Sequence, residues 1–313
     1  MGAARVLAIS GGIGGAKLAL GLDRILPEGA LAVLCNTGDD FEHLGLAISP
    51  DLDTVMYTLA GIANPETGWG RADETWTFMT ALETLGGEVW FRLGDGDLAV
   101  HVERTRRLRA REGLTEITAD LAARLGVRAH LLPMSDQPVR TMVDTVAGVL
   151  PFQRYFVEQR SEPVVKGFRF DGADDASLPP GLDRVLASEA LDAIIICPSN
   201  PFISIDPILA VPGIRRALKA SSAPVVAVSP IIDGRAIKGP TAKMMAELGL
   251  PTTSITVAGH YGDLLDGFIL DETDAHQAEM IDLPCLITPT LMRTDEDRCR
   301  LARDVLAFVR GLD

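Results

Sequence analysis

Cysteine is scarce: Cys35, Cys197, Cys285 and Cys299 stand alone in 313 residues, with no CxxC pair. That excludes a zinc knuckle or a disulfide scaffold. Two of the four fall in apolar runs, so buried thiols in a reducing cytoplasm are expected. Positive charge is in deficit, with 29 Lys and Arg against 43 Asp and Glu and a net charge of −14. This argues against nucleic-acid binding through a basic surface, although one basic pocket inside an acidic shell remains compatible with it. Long apolar runs are missing too. Ala193–Cys197 and Pro224–Val228 are strand-length and far short of a membrane span, so no membrane partner is expected. No charged-then-apolar leader opens the chain, and Arg5–Ser10 reads as a first strand.

What is present is 47% hydrophobic residues, 30 Gly and 19 Pro, enough for one large or two modest domains. Short β-branched runs alternate with longer amphipathic ones. Strands are expected at Arg5–Ser10, Leu31–Asn36, Arg128–Leu132, Gln153–Glu158, Val164–Phe170, Asp192–Cys197, Pro224–Ser229, Gly267–Leu270 and Asp282–Ile287. Helices are expected at Ala16–Leu26, Leu52–Ala63, Asp73–Leu85, Leu114–Leu125, Pro207–Lys219, Ala242–Leu248 and Glu296–Val309. This alternation predicts an α/β fold, a Rossmann-like, largely parallel sheet flanked by helices. The less regular, more charged stretch 64–180 is expected to be an inserted smaller α/β subdomain covering the site, with 1–63 and 181–313 forming the nucleotide-binding core.

Polar loops recur where strands end. Ser10-Gly-Gly-Ile-Gly-Gly-Ala-Lys17 follows the first strand and opens a helix. Gly11, Gly12 and Gly14 let backbone amides approach an anion, and Lys17 could neutralise a phosphate. The spacing is neither a Walker loop nor GxGxxG, so NAD is a poor fit. The bland alternatives are a tight turn without a ligand and a solvated lysine. Asn36-Thr-Gly-Asp-Asp40 ends the second strand, where open parallel sheets place ligands, and adjacent acids there can hold Mg²⁺. In Ile48-Ser-Pro-Asp51-Leu-Asp53, Ser-Pro-Asp is an ordinary helix start, but Asp51 and Asp53 cannot both be the cap.

Cys197-Pro-Ser199-Asn200-Pro201 is a rigid loop offering a hydroxyl and an amide to a phosphate or base. Ser229-Pro230 leads to Lys238 and Lys243, cations suited to a polyphosphate. Arg92-Leu-Gly-Asp95-Gly-Asp97 reads mostly as turn chemistry, with Arg92 able to face a ligand. His101, His130 and His260 lack metal spacing and read as satisfied or surface histidines. The loops converge on a site for a nucleotide-like diphosphate and a divalent metal, with phosphoryl transfer as the reaction class.

Taken in order, several motifs form a wider pattern. They are Ser10-Gly-Gly-x-Gly-x-x-Lys17, Asn36-Thr-x-x-Asp40, Ile48-Ser-Pro-Asp-Leu-Asp-Thr54, Leu93-Gly-Asp-x-Asp97, Leu132-Pro-Met-Ser-Asp136, Pro198-Ser-Asn-Pro201, Val228-Ser-Pro-Ile-Ile232 and Gly239-Pro-x-x-Lys243. Together, over Arg5 to about Asp271, they resemble the 2-phospho-L-lactate transferases of deazaflavin coenzyme F(420) biosynthesis. The resemblance implies a cytoplasmic, Mg²⁺-dependent transferase, with a homodimer expected. Its donor would be a guanosine diphosphate conjugate of lactate or phosphoenolpyruvate, and its acceptor the ribityl hydroxyl of the deazaflavin Fo (7,8-didemethyl-8-hydroxy-5-deazariboflavin). GMP would leave.

By the same resemblance, Asp53 and Arg92 contact Fo. Asp53 orients the attacking hydroxyl, with its deprotonation as a further role. The polar loops themselves supply the remaining expectations: any two of the four aspartates could hold Mg²⁺, with Asp40 and Asp51 the expected pair and Asp40 also serving catalysis, while Gly11, Gly12, Gly14, Lys17, Ser199, Asn200 and Lys243 bind the nucleotide. The chain departs from the pattern in having Arg92 where relatives commonly have Lys, and Ile13 and Gly15-Ala16 where Thr and Thr-Pro are frequent. The alternative is a non-catalytic sugar-nucleotide-binding regulator of the gluconeogenesis-factor type. Its loop tends to Asp-Asp-Gly-Gly-Ser, whereas this chain has Asp39-Asp40-Phe-Glu-His43.

Overall fold

Seven short apolar strands form one parallel sheet in the computed structural model, which describes residues 4–237 and 239–312. They are β1 Val6–Ser10, β2 Leu31–Cys35, β3 His130–Pro133, β4 Ala193–Ile196, β5 Val225–Val228, β6 Gly267–Leu270 and β7 Cys285–Ile287. Their spatial order is β7-β6-β5-β4-β1-β2-β3. β1 runs between β2 and β4, with Val6 opposite both Leu31 and Ala193. Every residue of β1 and β2 is buried, as a sheet covered on both faces requires.

The pleat splits β1 between two cores. Leu7 and Ile9 enter one with the helices of 182–261, and Val6 and Ala8 enter the other. The second core takes α1 Gly12–Ile25, α2 Pro50–Leu59 and the final helix Asp295–Val309. That final helix starts at a capping box between Thr294 and Asp297. Among the described residues, no helix is long and apolar enough to cross a membrane.

The stretch 64–180 is not one insertion. After α2 the chain leaves the sheet through α3 Thr77–Thr84 and α4 Asp95–Arg109. It returns through α5 Leu114–Arg124, which lays Leu114, Ile117, Leu121 and Ala122 on the core, and then pairs β3 with β2. Only afterwards does it leave again, as the antiparallel sheet Arg140–Thr145, Gly148–Pro151 and Val165–Asp171. The helix expected at Leu114–Leu125 and the strand expected at Arg128–Leu132 are both present, but they belong to the main sheet layer, a partnership that local pattern does not state.

Gln153–Glu158, expected as a strand, is a wide helical turn over Arg154–Glu158. Phe152 and Phe156, four apart, stack at 5.3 Å, a contact that strand geometry cannot make. Pro207–Lys219, expected as one helix, breaks into Asp206–Ala210 and Ile214–Ala220 around Gly213, whose φ is 92°. Arg92–Asp97, read as turns, opens α4 at Asp95.

Candidate active site

The strand order reverses between β1 and β4, and the loops leaving their carboxyl ends part to open a crevice. Gly11–Gly14, Asp39, Ser199, Asn200, Ser229, Pro230 and Thr290–Met292 line a cleft of ≈ 650 Å³ there. The antiparallel and helical excursions roof it with Trp69, Trp90, Phe91, Phe152 and Phe156.

One end of the cleft is the start of α1. Gly12 adopts φ 67°, a left-handed conformation that favours glycine. Gly14 lies so close to the next loop that a Cβ would fall 2.2 Å from the Pro198 carbonyl oxygen. Ser199 ties the two loops together: its hydroxyl donates to Gly11 O at 2.9 Å and accepts from Gly11 N at 3.3 Å. Asn200 caps its own turn, Oδ1 accepting from Phe202 N at 2.9 Å. Lys17 also lines the cleft, donating to Met292 O at 3.0 Å.

Facing α1 is a set of buried carboxylates. Ser49 does not cap α2 with its side chain; its hydroxyl donates to Asp40 Oδ2 at 2.7 Å. That leaves Asp51 and Asp53, both in the first turn of α2, to serve the cleft. Asn36, fully buried, aims Nδ2 at Asp39 Oδ1 and at Asp51 Oδ2, 2.9 Å away. Burial pushes the Asp51 carboxyl up to about 6. Burial, then the charges of Asp51 and Asp40, hold the Asp39 carboxyl well above the ordinary range. Asp40 is raised to about 7, chiefly by burial, and its Oδ1 is buried with no hydrogen-bond partner. Asp39 and Asp51, buried on the cleft and bridged by Asn36, offer oxygen ligands of the kind a hard metal ion prefers.

Asp40 and Asp51, expected to share Mg²⁺, take different hydrogen-bond partners. Asn36 joins Asp51 to Asp39, and Asp39 rather than Asp40 lines the cleft. Asp40 is turned to Ser49, with Arg140 and Arg104 exerting the opposing attraction on its charge.

Asp53 belongs to a second network. Arg104, on α4 and 1% exposed, grips it in a two-pronged ion pair. Nη1 donates to Oδ2 at 3.0 Å and Nη2 to Oδ1. His101 Nδ1 lies 3.7 Å from Asp53 Oδ2, and its Nε2 lies 3.3 Å from Asp97 Oδ2. Tyr57 on α2 donates to Asp97 Oδ1 at 2.5 Å. Burial pushes the Asp97 carboxyl up, but the contacts from His101 and Tyr57 outweigh it and hold the group below the ordinary range.

Other expected site residues divide. Arg92 lines the cleft and stacks over Trp76 at 4.2 Å, so Trp76 supports the arginine instead of lining the wall. Lys243 does not reach the cleft. It pairs with Glu247 at 2.6 Å and donates to Pro163 O at 3.0 Å, tying its helix to the strand Val165–Asp171. Lys238 lies outside the described residues. Sequence reading missed Tyr57, His101, Arg104 and Thr290–Met292. For α4 a signal existed, because Asp97, His101 and Arg104 recur at spacings of four and three and so share one helix face.

Comparison with known proteins adds four findings. The family model "2-phospho-L-lactate transferase CofD" matches residues 6–300. The phosphoenolpyruvate transferase of Kitasatospora aureofaciens is 41% identical over 314 residues, 97% of each chain. The 2-phospho-L-lactate transferase of Methanosarcina mazei is 40% identical over 305 residues, 96% of this chain and 99% of that one. Among solved structures, a UPF0052-family protein of Bacillus halodurans superposes with a TM-score of 0.64 at 13% identity. The match covers 97% of this chain and 99% of that one, and it shows the shared α/β fold.

Proposed function

The chain belongs to the 2-phospho-L-lactate transferase family, whose members are 2-phospho-L-lactate or phosphoenolpyruvate transferases, and from this we propose the following reaction. A guanosine diphosphate conjugate of lactate or phosphoenolpyruvate donates its acid-bearing phosphoryl group to the ribityl hydroxyl of Fo. A P–O bond to the hydroxyl oxygen forms, the phosphoanhydride bond breaks, and GMP leaves. The observation that carries this reading is one cleft with three different walls: glycine amides at the start of α1, buried carboxylates, and aromatic rings.

The diphosphate takes the Gly11–Gly14 turn and the Ser199–Asn200 loop, with Lys17 against its charge. Asp51 and Asp39 would hold Mg²⁺, with Asp40 behind them. An ion held by these residues would supply positive charge to offset the charge that accumulates on departing GMP. The flat deazaflavin takes the aromatic wall, with Trp69, Trp90 and Phe91 beside Arg92. Asp53, on the first turn of α2 between the two halves, accepts from the attacking hydroxyl and orients it.

Incubation with Fo and either guanylylated acid tests the reaction and identifies the donor. GMP release that depends on Fo is expected, and binding of both ligands without GMP release would favour a non-catalytic binder. In the same assay, Asp53→Ala should slow transfer on the order of 10²–10⁴-fold with GDP affinity nearly unchanged. Loss of GDP binding with an unchanged Fo KM would move Asp53 to the nucleotide half.

A further inference from the structure

Arg104 is among the largest fully buried side chains in the protein, and nothing in the family comparison assigns it a task. A guanidinium at 1% exposure has given up its hydration, which is costly unless a partner of matching shape replaces the water. Asp53 is that partner, each of its oxygens taking one nitrogen of the fork. Burial alone would lower the pKa of Arg104. The charge of Asp53 and the hydrogen bonds to it reverse the effect and raise it above the ordinary value.

The geometry separates the two members of the pair. Asp53 lines the cleft, whereas Arg104 does not. The arginine approaches from α4, next to His101 Nδ1 at 3.4 Å and Ala47 O at 3.5 Å. A planar fork bound to both oxygens stops the carboxylate from rotating, and a carboxylate has lone pairs left over for a further donor. The Tyr57–Asp97 bond fixes the same two helices a turn away, so α4 cannot slide along α2 without breaking both links.

We propose that Arg104 is a positioning residue for the transfer. It touches no substrate, and it locks Asp53 as a non-rotating acceptor aimed at the attacking hydroxyl. This rests on the reading of Asp53 given above. Lysine would be a poor substitute, because an ammonium keeps the charge but loses the planar fork.

A double-mutant cycle tests it, using the full-length protein with Fo, GDP and the guanylylated acid. Arg104→Gln is expected to raise the Fo KM and the calorimetric Fo Kd about 10- to 100-fold, with GDP affinity unchanged. Asp53→Asn should do the same. The double variant should lose no more than either single change, because Arg104 acts only through Asp53. Arg104→Lys should recover part of kcat/KM. A lowered Tm with wild-type Fo KM in Arg104→Gln would overturn the proposal, and so would multiplicative losses in the double variant.

If Arg104→Gln does not fold, Asp53→Asn/Arg104→Gln still decides, since it pairs two amides without a buried charge. Fo binding equal to that of Asp53→Asn supports the proposal, and a further loss overturns it. Wild-type protein that binds GDP but not Fo would overturn the acceptor reading and this proposal together. Wild-type binding of Fo with an indifferent Arg104 would overturn this proposal alone.

Discussion

Replacing Gly14 by alanine sets two physical effects against each other. Gly14 lies in the first turn of α1, and helix propensity alone says that alanine there should stabilise the protein by about 1 kcal/mol. The tertiary structure says the opposite. The added Cβ would sit 2.2 Å from the Pro198 carbonyl oxygen and 3.4 Å from its carbon. Backbone, not a flexible side-chain end, is what it meets, so α1 and the Pro198–Asn200 loop must part by roughly 1 Å to restore ordinary carbon–oxygen contact. Overpacking of this kind costs about 1–3 kcal/mol and outweighs the propensity gain, leaving a net loss of about 1 kcal/mol. In a chain of this size that lowers Tm by roughly 2 °C.

The functional effect should be larger than the thermal one. The same displacement pulls Ser199 from Gly11 across the proposed diphosphate site, and GDP affinity should fall about 10- to 100-fold. Differential scanning calorimetry and titration calorimetry with GDP read both effects. Gly259→Ala is the control, because Gly259 is a helical glycine with open space around its Cβ position, and it should follow propensity and gain stability. A Gly14→Ala protein that melts higher than wild type and binds GDP normally would refute the reasoning.

Two further tests address charge. Because burial raises Asp51 to about 6 and Asp40 to about 7, folding of the metal-free protein favours their protonated forms. That contribution is fully present below the unfolded carboxyl value and is lost as pH rises through 6 to 7. Melting in EDTA should therefore show this loss, Mg²⁺ should reverse it at pH 8 far more than at pH 5, and Asp51→Asn should abolish the reversal. Equal Mg²⁺ stabilisation of wild type and Asp51→Asn at pH 8 would count against the site. Lys243→Met should leave GDP affinity within twofold while weakening thermal stability, since its ammonium serves Glu247 and Pro163; a large affinity loss in calorimetry would return Lys243 to the nucleotide.

The sequence alone determined the α/β class, the parallel sheet and the loops that make the cleft. Those properties are local: runs of four or five apolar residues buried on both faces, and a glycine turn or polar loop directly after each. Spacing therefore reported Gly12, Gly14, Ser199, Asp51 and Asp53 without reference to the rest of the chain. What the tertiary structure decided were partnerships between distant segments. Asn36 chose Asp39 as the companion of Asp51, and Ser49 took Asp40 away from the cleft. Lys243, a good phosphate ligand by composition, went to Glu247 and Pro163 O, because its helix touches the cleft only at its start, Thr241, and packs beyond that on the strand Val165–Asp171. Arg104 was invisible for the same reason. An arginine in a strongly charged helix reads as solvated, and only the packing of α4 over α2 removes it from water and delivers it to Asp53, 51 residues away. Burial and electrostatic pairing depend on which elements meet, and an amphipathic pattern states which face is buried without stating against what.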